Sequence, residues 1–350
     1  QSKIEILVID DSTDETTAVA KSYERRYPGL VKVIHRVSRD GFKAGALQEA
    51  LRNSTGEFFA IFDADYIPPK DFLKKTMPYF NCERTAFVQT RSGYLNDRVS
   101  WVTEAQSLAI DVYGFVDQRA RSSANLLAHF CGTGGIFRRE AVESVGGWTS
   151  DTMAEDLDLS VRLQLAGWKY VYLPHVVCRG EIPPSFSILR HQQFRWAKGF
   201  TECLRKHWQP ILKNRRLSLF QKAEAMVHLG TYLICPATIL VSCIGVSYYL
   251  VFPLSFLMGE YWHHWIALLI LALSLPAYTA PLAASSVTLY MLKGREKGKL
   301  RRILHLFYLG ILLYGLLLSN TVAVAQGLLT RRSDFRRTPK LGIVNETAST

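Results

Sequence analysis

The sequence predicts an α/β domain built on a parallel, doubly wound sheet, followed by a helical region that crosses a membrane. Three observations predict this. Short apolar runs alternate with amphipathic stretches through residues 4–200. Two of those runs end in paired acids. From residue 226 onward the composition turns mostly apolar, with long stretches free of charge.

IEILVID reads as a buried strand ending in acids, and TTAVAKSYERRY as an amphipathic helix. LVKVIHR is a second strand, AGALQEALRNS a second helix, and EFFAIFDAD a third strand, again acid-ended. Strands alternating with helices favour a parallel sheet. Ligands of such sheets bind at the carboxyl ends of the strands, where these acids sit. A helical stretch around residues 101–120 leads to the Gly-rich FCGTGGIF. AEDLDLSVRLQLAG reads as a helix with acids in its first turn, and LRHQQFRWAKGFTECLRKHW as a basic helix carrying aromatics. Residues 204–225 continue basic and amphipathic, as interfacial helices do.

Three hydrophobic segments follow, near 226–252, 262–292 and 303–329, each long enough to cross a bilayer. The loop at 253–264 has no Lys or Arg, whereas 293–302 carries Lys293, Arg295, Lys297, Lys299, Arg301 and Arg302. The positive-inside rule puts the first loop outside and the second in the cytosol. The basic tail at 331–340 asks for the cytosol too. Either the last segment is partly interfacial, or Pro276 and Pro281 split the middle one. The expected plan is an α/β domain over 1–203, interfacial helices over 204–225, transmembrane helices over 226–330 and a cytosolic tail over 331–350.

The net charge is +12, from 42 Lys and Arg against 30 Asp and Glu. Nucleic acid can attract such an excess. Here the basic residues cluster beside apolar segments, which suits the anionic cytosolic face of a lipid bilayer and argues against a nucleic-acid partner. Cys82, Cys131, Cys178, Cys203, Cys235 and Cys243 lack metal-ligand pair spacing and read as reduced thiols. The chain opens almost directly into its first strand, so further sequence is expected before residue 1.

Asp63-Ala64-Asp65 ends the third strand. Two carboxylates at i and i+2 can chelate a hard divalent ion that bridges phosphates. Alone, the pair suits a solvated strand-end turn better, since D-x-D occurs often by chance. Asp10-Asp11 ends the first strand at the same edge. One acid could bind a base or ribose while the other assists a metal; N-capping of the next helix is the plainer alternative. Gly41-Phe42-Lys43-Ala44-Gly45 precedes a helix. Its small residues let a ligand approach the backbone, and Lys43 adds a point charge suited to a diphosphate. Read alone, it is an ordinary loop-to-helix entry. Glu155 and Asp156 open a helix, with Asp158 behind them. A carboxylate there could act as general base on an acceptor hydroxyl, or simply complement the helix dipole. Gln192 and Arg195 share one helical face. Trp196 offers a flat apolar surface for a sugar, or a headgroup anchor.

Taken together, VIDDSTD, GFKAGAL, FDAD, FCGTGG, AEDLDL and QQFRW, in that order and followed by hydrophobic segments, resemble the family-2 glycosyltransferases of GT-A fold. The likeness is nearest to the cellulose-synthase-like branch, and there to the mannan- and glucan-synthase-like members. It implies transfer of a sugar from a nucleotide-sugar donor, UDP-glucose or GDP-mannose, to a growing glycan, with inversion to a β-linkage. A non-processive glycolipid synthase, acting on a lipid acceptor such as ceramide or diacylglycerol, uses much of the same motif set. The resemblance also implies roles. Asp10 or Asp11 would contact the nucleotide, and Lys43 the diphosphate. Asp63 and Asp65 would bind nucleotide and Mg2+ or Mn2+. Phe130, Cys131, Gly132 and Thr133 would line the acceptor end, and Asp156 would be the catalytic base. Gln192, Arg195 and Trp196 would hold donor diphosphate and acceptor sugar. Phe335, Thr338 and Lys340 resemble the gating loop over the nucleotide, with Arg337 where the family has Val. Ala154 replaces the Thr of the family's T-E-D and leaves both acids in place. The catalytic domain would face the cytosol, on a bacterial inner membrane or a Golgi membrane. The family's own first strand and N-terminal membrane helix would lie before residue 1.

Overall fold

The computed structural model describes residues 4–257, 283–288 and 299–329, with Trp265 and Gly342. The first two apolar runs form β1 (Ile6–Asp10) and β2 (Val31–His35), which pair in parallel with Asp10 opposite His35. Helix α1 (Thr16–Arg26) makes the crossover, and α2 (Phe42–Asn53) leads on to β3 (Phe58–Ile61). A second sheet has the order β3-β5-β4-β6, with β4 at Thr85–Tyr94, β5 at Gly135–Arg138 and β6 at Lys169–Gly180. Between these strands run α3 (Phe72–Thr76), α4 (Trp101–Val112), α5 (Arg119–Ser123), α6 (Arg139–Ser144) and α7 (Glu155–Leu165).

The expected single parallel sheet is corrected here. Strand β5 runs antiparallel to both β3 and β4, while β6 is parallel to β4. Apolar periodicity reports which residues are buried, not which way the strand runs. The reversal has a consequence for the site. Strand β5 begins where β3 ends, with Gly135 opposite Ile61 and the Gly134 N–H donating to Ile61 O at 2.9 Å. The loop at 131–134 is thereby carried to the carboxyl edge of β3, beside Asp63.

Stacked aromatics fill the core over this sheet: Phe87 lies 5.2 Å from Phe137 and 5.3 Å from Tyr170, centroid to centroid. Leu159 and Leu163 of α7 pack into the same cluster. Helix α8 (Phe186–Lys213) runs unbroken, so the domain boundary expected at residue 203 falls inside it. Its Cys203 and Ile211 pack with Leu157 and Val161 of α7 and with Ala225 and Leu229 of α9 (Leu219–Leu229).

Helix α10 (Ile234–Leu257) follows α9. The segment read as one hydrophobic span at 226–252 is bent by 58° between Leu229 and Thr231. A last helix, α11 (Lys299–Leu329), lies along α8 and α4, with Leu312 and Leu316 packed against Val102, Ala105 and Leu189. Its outer side exposes Phe307, Leu318 and Val322. Leu304–Leu329 has 26 residues and is the one straight helix among the described residues long and apolar enough to cross a membrane. At about 39 Å it exceeds a bilayer hydrocarbon core of about 30 Å. Most of the middle segment at 262–292 lies outside the described residues. So do most of the two loops read for topology and the tail with Phe335, Thr338 and Lys340.

Close approach of α8 to the segment before α7 depends on Gly199. A Cβ there would meet Ala154 Cβ at 2.7 Å and Ala154 N at 2.9 Å. Gly199→Ala should therefore destabilise the protein by about 1–3 kcal/mol through overpacking. A thermal melt of the purified chain tests this, and an unchanged midpoint would contradict the seating of α8 on Ala154.

Candidate active site

The turn after β3 is fixed from two sides. The Asp63 N–H donates to Thr133 Oγ1 at 3.0 Å, and the Glu181 N–H donates to Asp65 Oδ2 at 3.2 Å. One residue pair further on, Ile67 bridges Arg179 at the end of β6. Lys43 reaches this turn from the start of α2. Its Nζ lies 2.6 Å from Asp63 Oδ1 and 2.8 Å from the Gly132 carbonyl. Burial favours the neutral amine, but Asp63 and then Glu155 outweigh it and hold Lys43 above its ordinary range.

Glu155 and Asp156 open α7 across from Lys43. Burial, and then the charge of Glu155, push the Asp156 carboxyl up to about 7, against the pull of Lys43. Glu155 is raised as well, by burial first, with Lys43 opposing. Gly132 lies between Asp156 and Lys43. Its φ of +81° suits glycine, and a Cβ there would stand 3.1 Å from Asp156 Oδ2 and 3.5 Å from Lys43 Nζ.

The third acid of this helix serves a different purpose. Asp158 is fully buried and faces away. It accepts from Thr149 Oγ1 at 2.9 Å and Arg162 Nε at 2.8 Å, and it lies 2.7 Å from both Lys206 Nζ and His207 Nε2 of α8. Burial opposes its ionisation, but these partners win and hold its carboxyl well below the usual range.

The remaining expected residues divide. Asp10, Asp11, Lys43, Asp63, Asp65, Cys131, Gly132, Thr133, Glu155, Asp156, Gln192, Arg195 and Trp196 all border one open cleft of about 2750 Å³. Phe130 does not: it is 1% exposed and packs edge-on against Phe137 in the core. Asp10 and Asp11 reach the cleft already engaged. Asp10 accepts from the Ser12 N–H at 2.9 Å and Thr17 Oγ1 at 2.5 Å, and His35 Nδ1 lies 2.8 Å away. Asp11 takes both arms of Arg36, Nε at 2.7 Å and Nη2 at 2.6 Å. Their first task is therefore to shape the loop after β1. Burial holds the guanidinium of Arg195, on α8, below its ordinary range, and the charge of Glu155 opposes this.

Reading the motifs missed the frame beneath them. Between α4 and α5 the helix widens into a π turn, Tyr113–Gln118, a form frequent at functional sites. From it Gln118 Nε2 donates to the His129 carbonyl at 3.0 Å. Ser160 of α7 accepts the Phe130 N–H at 2.9 Å, and Gln164 binds both backbone groups of Ala128. Gln89 of β4 accepts the Cys131 N–H at 2.8 Å. One signal was legible: a glutamine directly after the apolar run Ala86-Phe87-Val88.

This geometry can be set beside known proteins. Residues 1–199 match the family model described as glycosyltransferase like family 2. The chain belongs to this family. It is 36% identical over 261 residues to glucomannan 4-beta-mannosyltransferase 9 of Arabidopsis thaliana, covering 68% of this chain and 49% of that protein. It is 34% identical to glucomannan 4-beta-mannosyltransferase 1 of Oryza sativa subsp. japonica, covering 68% and 50%. The chain thus spans about half the length of the curated relatives it matches. Among solved structures, a mannosyltransferase from Pyrobaculum calidifontis in complex with GDP-Man and Mn2+ aligns at TM-score 0.50 and 22% identity. That alignment covers 93% of this chain and 78% of the other, and it shows a shared GT-A-like fold.

In this family-2 domain the Asp158 network predicts a structural phenotype. Asp158→Ala takes the carboxylate from buried His207 and removes one partner each from Arg162, which keeps the Val145 and Gly147 carbonyls, and Lys206, which keeps Asp151. A buried polar group left unpaired typically costs about 1–3 kcal/mol. Denaturant unfolding should show that loss. A stability equal to wild type would mean the network is not holding α7 to α8.

Proposed function

We propose that this family-2 domain is the catalytic part of a membrane-bound, inverting glycosyltransferase that adds mannose from GDP-mannose to a β-linked glycan of the glucomannan or mannan type. The observation that carries the reading is Asp156. It is a half-buried carboxylate beside Gly132, on the same cleft as the Asp63–Asp65 pair and Lys43, and burial together with the charge of Glu155 raises it to about 7. A base held near neutral pH is what abstraction of a hydroxyl proton requires. The choice of mannose over glucose draws on relatives named as glucomannan mannosyltransferases.

Asp156 takes the proton of the acceptor hydroxyl. The freed oxygen attacks the anomeric carbon as the bond to the diphosphate breaks on the opposite face, so an α-linked donor gives a β-linked product. Lys43 turns its charge to the leaving diphosphate, and Gln192 and Arg195 of α8 hold it from the other side. Trp196, 40% exposed on the cleft, presents its ring to the acceptor sugar.

A divalent ion fits the residues present. Asp63 and Asp65 offer two carboxylates on one turn, and no cluster of three His, Cys, Asp or Glu ligands occurs among the described residues. Mg2+ and similar ions are commonly held by one or two carboxylates, with substrate phosphates and water completing the shell. Asp63 and Asp65 would hold Mg2+ or Mn2+, which would supply positive charge against the departing diphosphate. The apolar outer side of α11 supports the membrane reading, with the catalytic domain on the cytosolic side where basic residues gather.

Asp156→Asn keeps the shape of the side chain and cannot take the proton. Turnover should fall about 100- to 10,000-fold while donor affinity and melting temperature hold. Glu155→Gln measured alongside decides between the two acids. A slower Glu155→Gln beside a near-wild-type Asp156→Asn would move the base one residue back.

The pH profile follows from the same carboxyl. Asp156 acts ionised and its pKa is raised, so kcat/KM should fall as pH drops through about 7 and level off above it. A profile flat from roughly pH 5 to 9 would remove a raised carboxylate from the chemistry.

Excess EDTA should abolish transfer of radiolabelled mannose, and Mg2+ or Mn2+ should restore it. Full turnover in chelator would sink the metal role. Assaying UDP-glucose in parallel and digesting the product with linkage-specific glycosidases identifies the sugar and the bond. A single glycolipid in place of an oligosaccharide ladder would overturn the polysaccharide reading.

A further inference from the structure

The structure assigns a positioning role to Gln89: its buried carboxamide sets the loop at 131–134, and through that loop the relative places of Lys43, Asp63 and Asp156. The inference rests on the transferase reading above and names a residue outside every motif that suggested it.

Strand β4 lies between β5 and β6, and Ala86, Phe87 and Val88 ahead of Gln89 are all 0% exposed. Gln89 itself is 1% exposed. A carboxamide is costly in such a place unless both of its ends are bonded. Both are. Its Oε1 accepts the Cys131 N–H at 2.8 Å, and its Nε2 donates to the Thr90 carbonyl at 2.8 Å and the Thr133 carbonyl at 3.1 Å. Thr90 adds a bond from Oγ1 to the Gly134 carbonyl at 2.6 Å. The loop is thus gripped at Cys131, Thr133 and Gly134, which leaves Gly132 held in its left-handed conformation between them.

What the loop presents to the cleft are the contacts that order the reacting groups. The Gly132 carbonyl accepts Lys43 Nζ at 2.8 Å. Thr133 Oγ1 accepts the Asp63 N–H at 3.0 Å. Gly132 Cα packs beside the Asp156 carboxylate, close enough that a Cβ would stand 3.1 Å from Oδ2. Gln89 touches none of the expected reactants. It acts through three residues that do, as outer partners orient the ligands of a metal site.

A glutamine that merely satisfied its own strand would behave differently, and Gln48 supplies the comparison. Its Oε1 accepts the Trp148 N–H at 2.9 Å, a similar side chain-to-backbone bond that does not involve this loop. The test uses the full chain in detergent, with mannose transfer from GDP-mannose, GDP affinity by calorimetry, and melting temperature as readouts. Gln89→Glu keeps the acceptor for Cys131 and removes the donor to Thr133; Gln89→Met removes both. Each should lower kcat about 10- to 100-fold and weaken GDP binding, as loss of an outer-shell partner typically does. Gln48→Met should lose thermal stability and keep wild-type kcat.

Thr133→Val cuts the next link, between the loop and Asp63, and should lower kcat to a similar extent. If Gln89 acts through the loop, the Gln89→Met, Thr133→Val double variant should lose less than the product of the two single losses. Wild-type kcat in both Gln89 variants, or strict multiplicativity of the double variant, overturns the inference. Should the Gln89 variants not fold, full activity in Thr133→Val overturns it instead. A wild-type chain that neither binds GDP nor transfers mannose refutes the transferase reading and this inference with it. A wild-type chain that does both, beside indifferent Gln89 variants, refutes the inference alone.

Discussion

Lys43 Nζ lies 2.6 Å from Asp63 Oδ1 and 2.8 Å from the Gly132 carbonyl, and the cleft is arranged around that contact. Asp63, Asp65, Glu155 and Asp156 all border the same space. Carboxylates gathered in a partly buried cleft repel one another, more strongly as water is excluded. Lys43 joins three separate pieces of chain, the start of α2, the turn after β3 and the loop before β5, by placing one cation among these acids. The state of Asp156 is what remains of this contest. Burial and Glu155 drive its carboxyl upward, Lys43 restrains it, and the balance lies near neutrality.

The second organising element is α8. Toward its start it carries Gln192, Arg195 and Trp196 to the cleft. Further along, Glu202 accepts the Met153 N–H at 2.8 Å, and Lys206 and His207 hold Asp158. The start of α7, with Glu155 and Asp156, and the cleft residues Gln192, Arg195 and Trp196 are therefore referred to one helix. The apolar helix α11 rests along that helix too. A Cβ at Gly327 would stand 2.7 Å from Thr201 Cβ, and Arg205 Nη1 donates to the Leu328 carbonyl at 2.9 Å. Packing this close leaves little room for the last helix to shift without moving α8, since well-packed interiors transmit small displacements.

Much of the fold could be read from the chain. The strands at 6–10, 31–35 and 58–61, the helix entered at Glu155 and the long basic helix after residue 185 stand where apolar periodicity and composition put them. Strand direction was not legible, and β5 reversed the expected parallel order. Among the described residues, the grouping of motif residues into one cleft followed from the resemblance, with Phe130 the exception. Its place in an FCGTGG motif suggested the acceptor end, but a phenylalanine beside Phe137 finds more apolar contact in the core. The three acids Glu155, Asp156 and Asp158 looked alike as a helix start. A helix turns about 100° per residue, so Asp158 points where its neighbours do not, into the cations of α8.

The sequence by itself determined the chemistry available: which strands end in acids, which helices are apolar, and which residue types could handle a diphosphate, a proton or a sugar. Those properties are local, carried by residue identity and by periods of two and 3.6. Only the tertiary structure decided which acid borders the cleft and which anchors α7 to α8, and that Gln89, Gln118, Ser160 and Gln164 frame the loop between them. A carboxylate's role depends on the charges and the burial around it. A glutamine's depends on which backbone groups lie within about 3 Å of its amide. Both are set by segments far apart in the chain, and no local pattern encodes them.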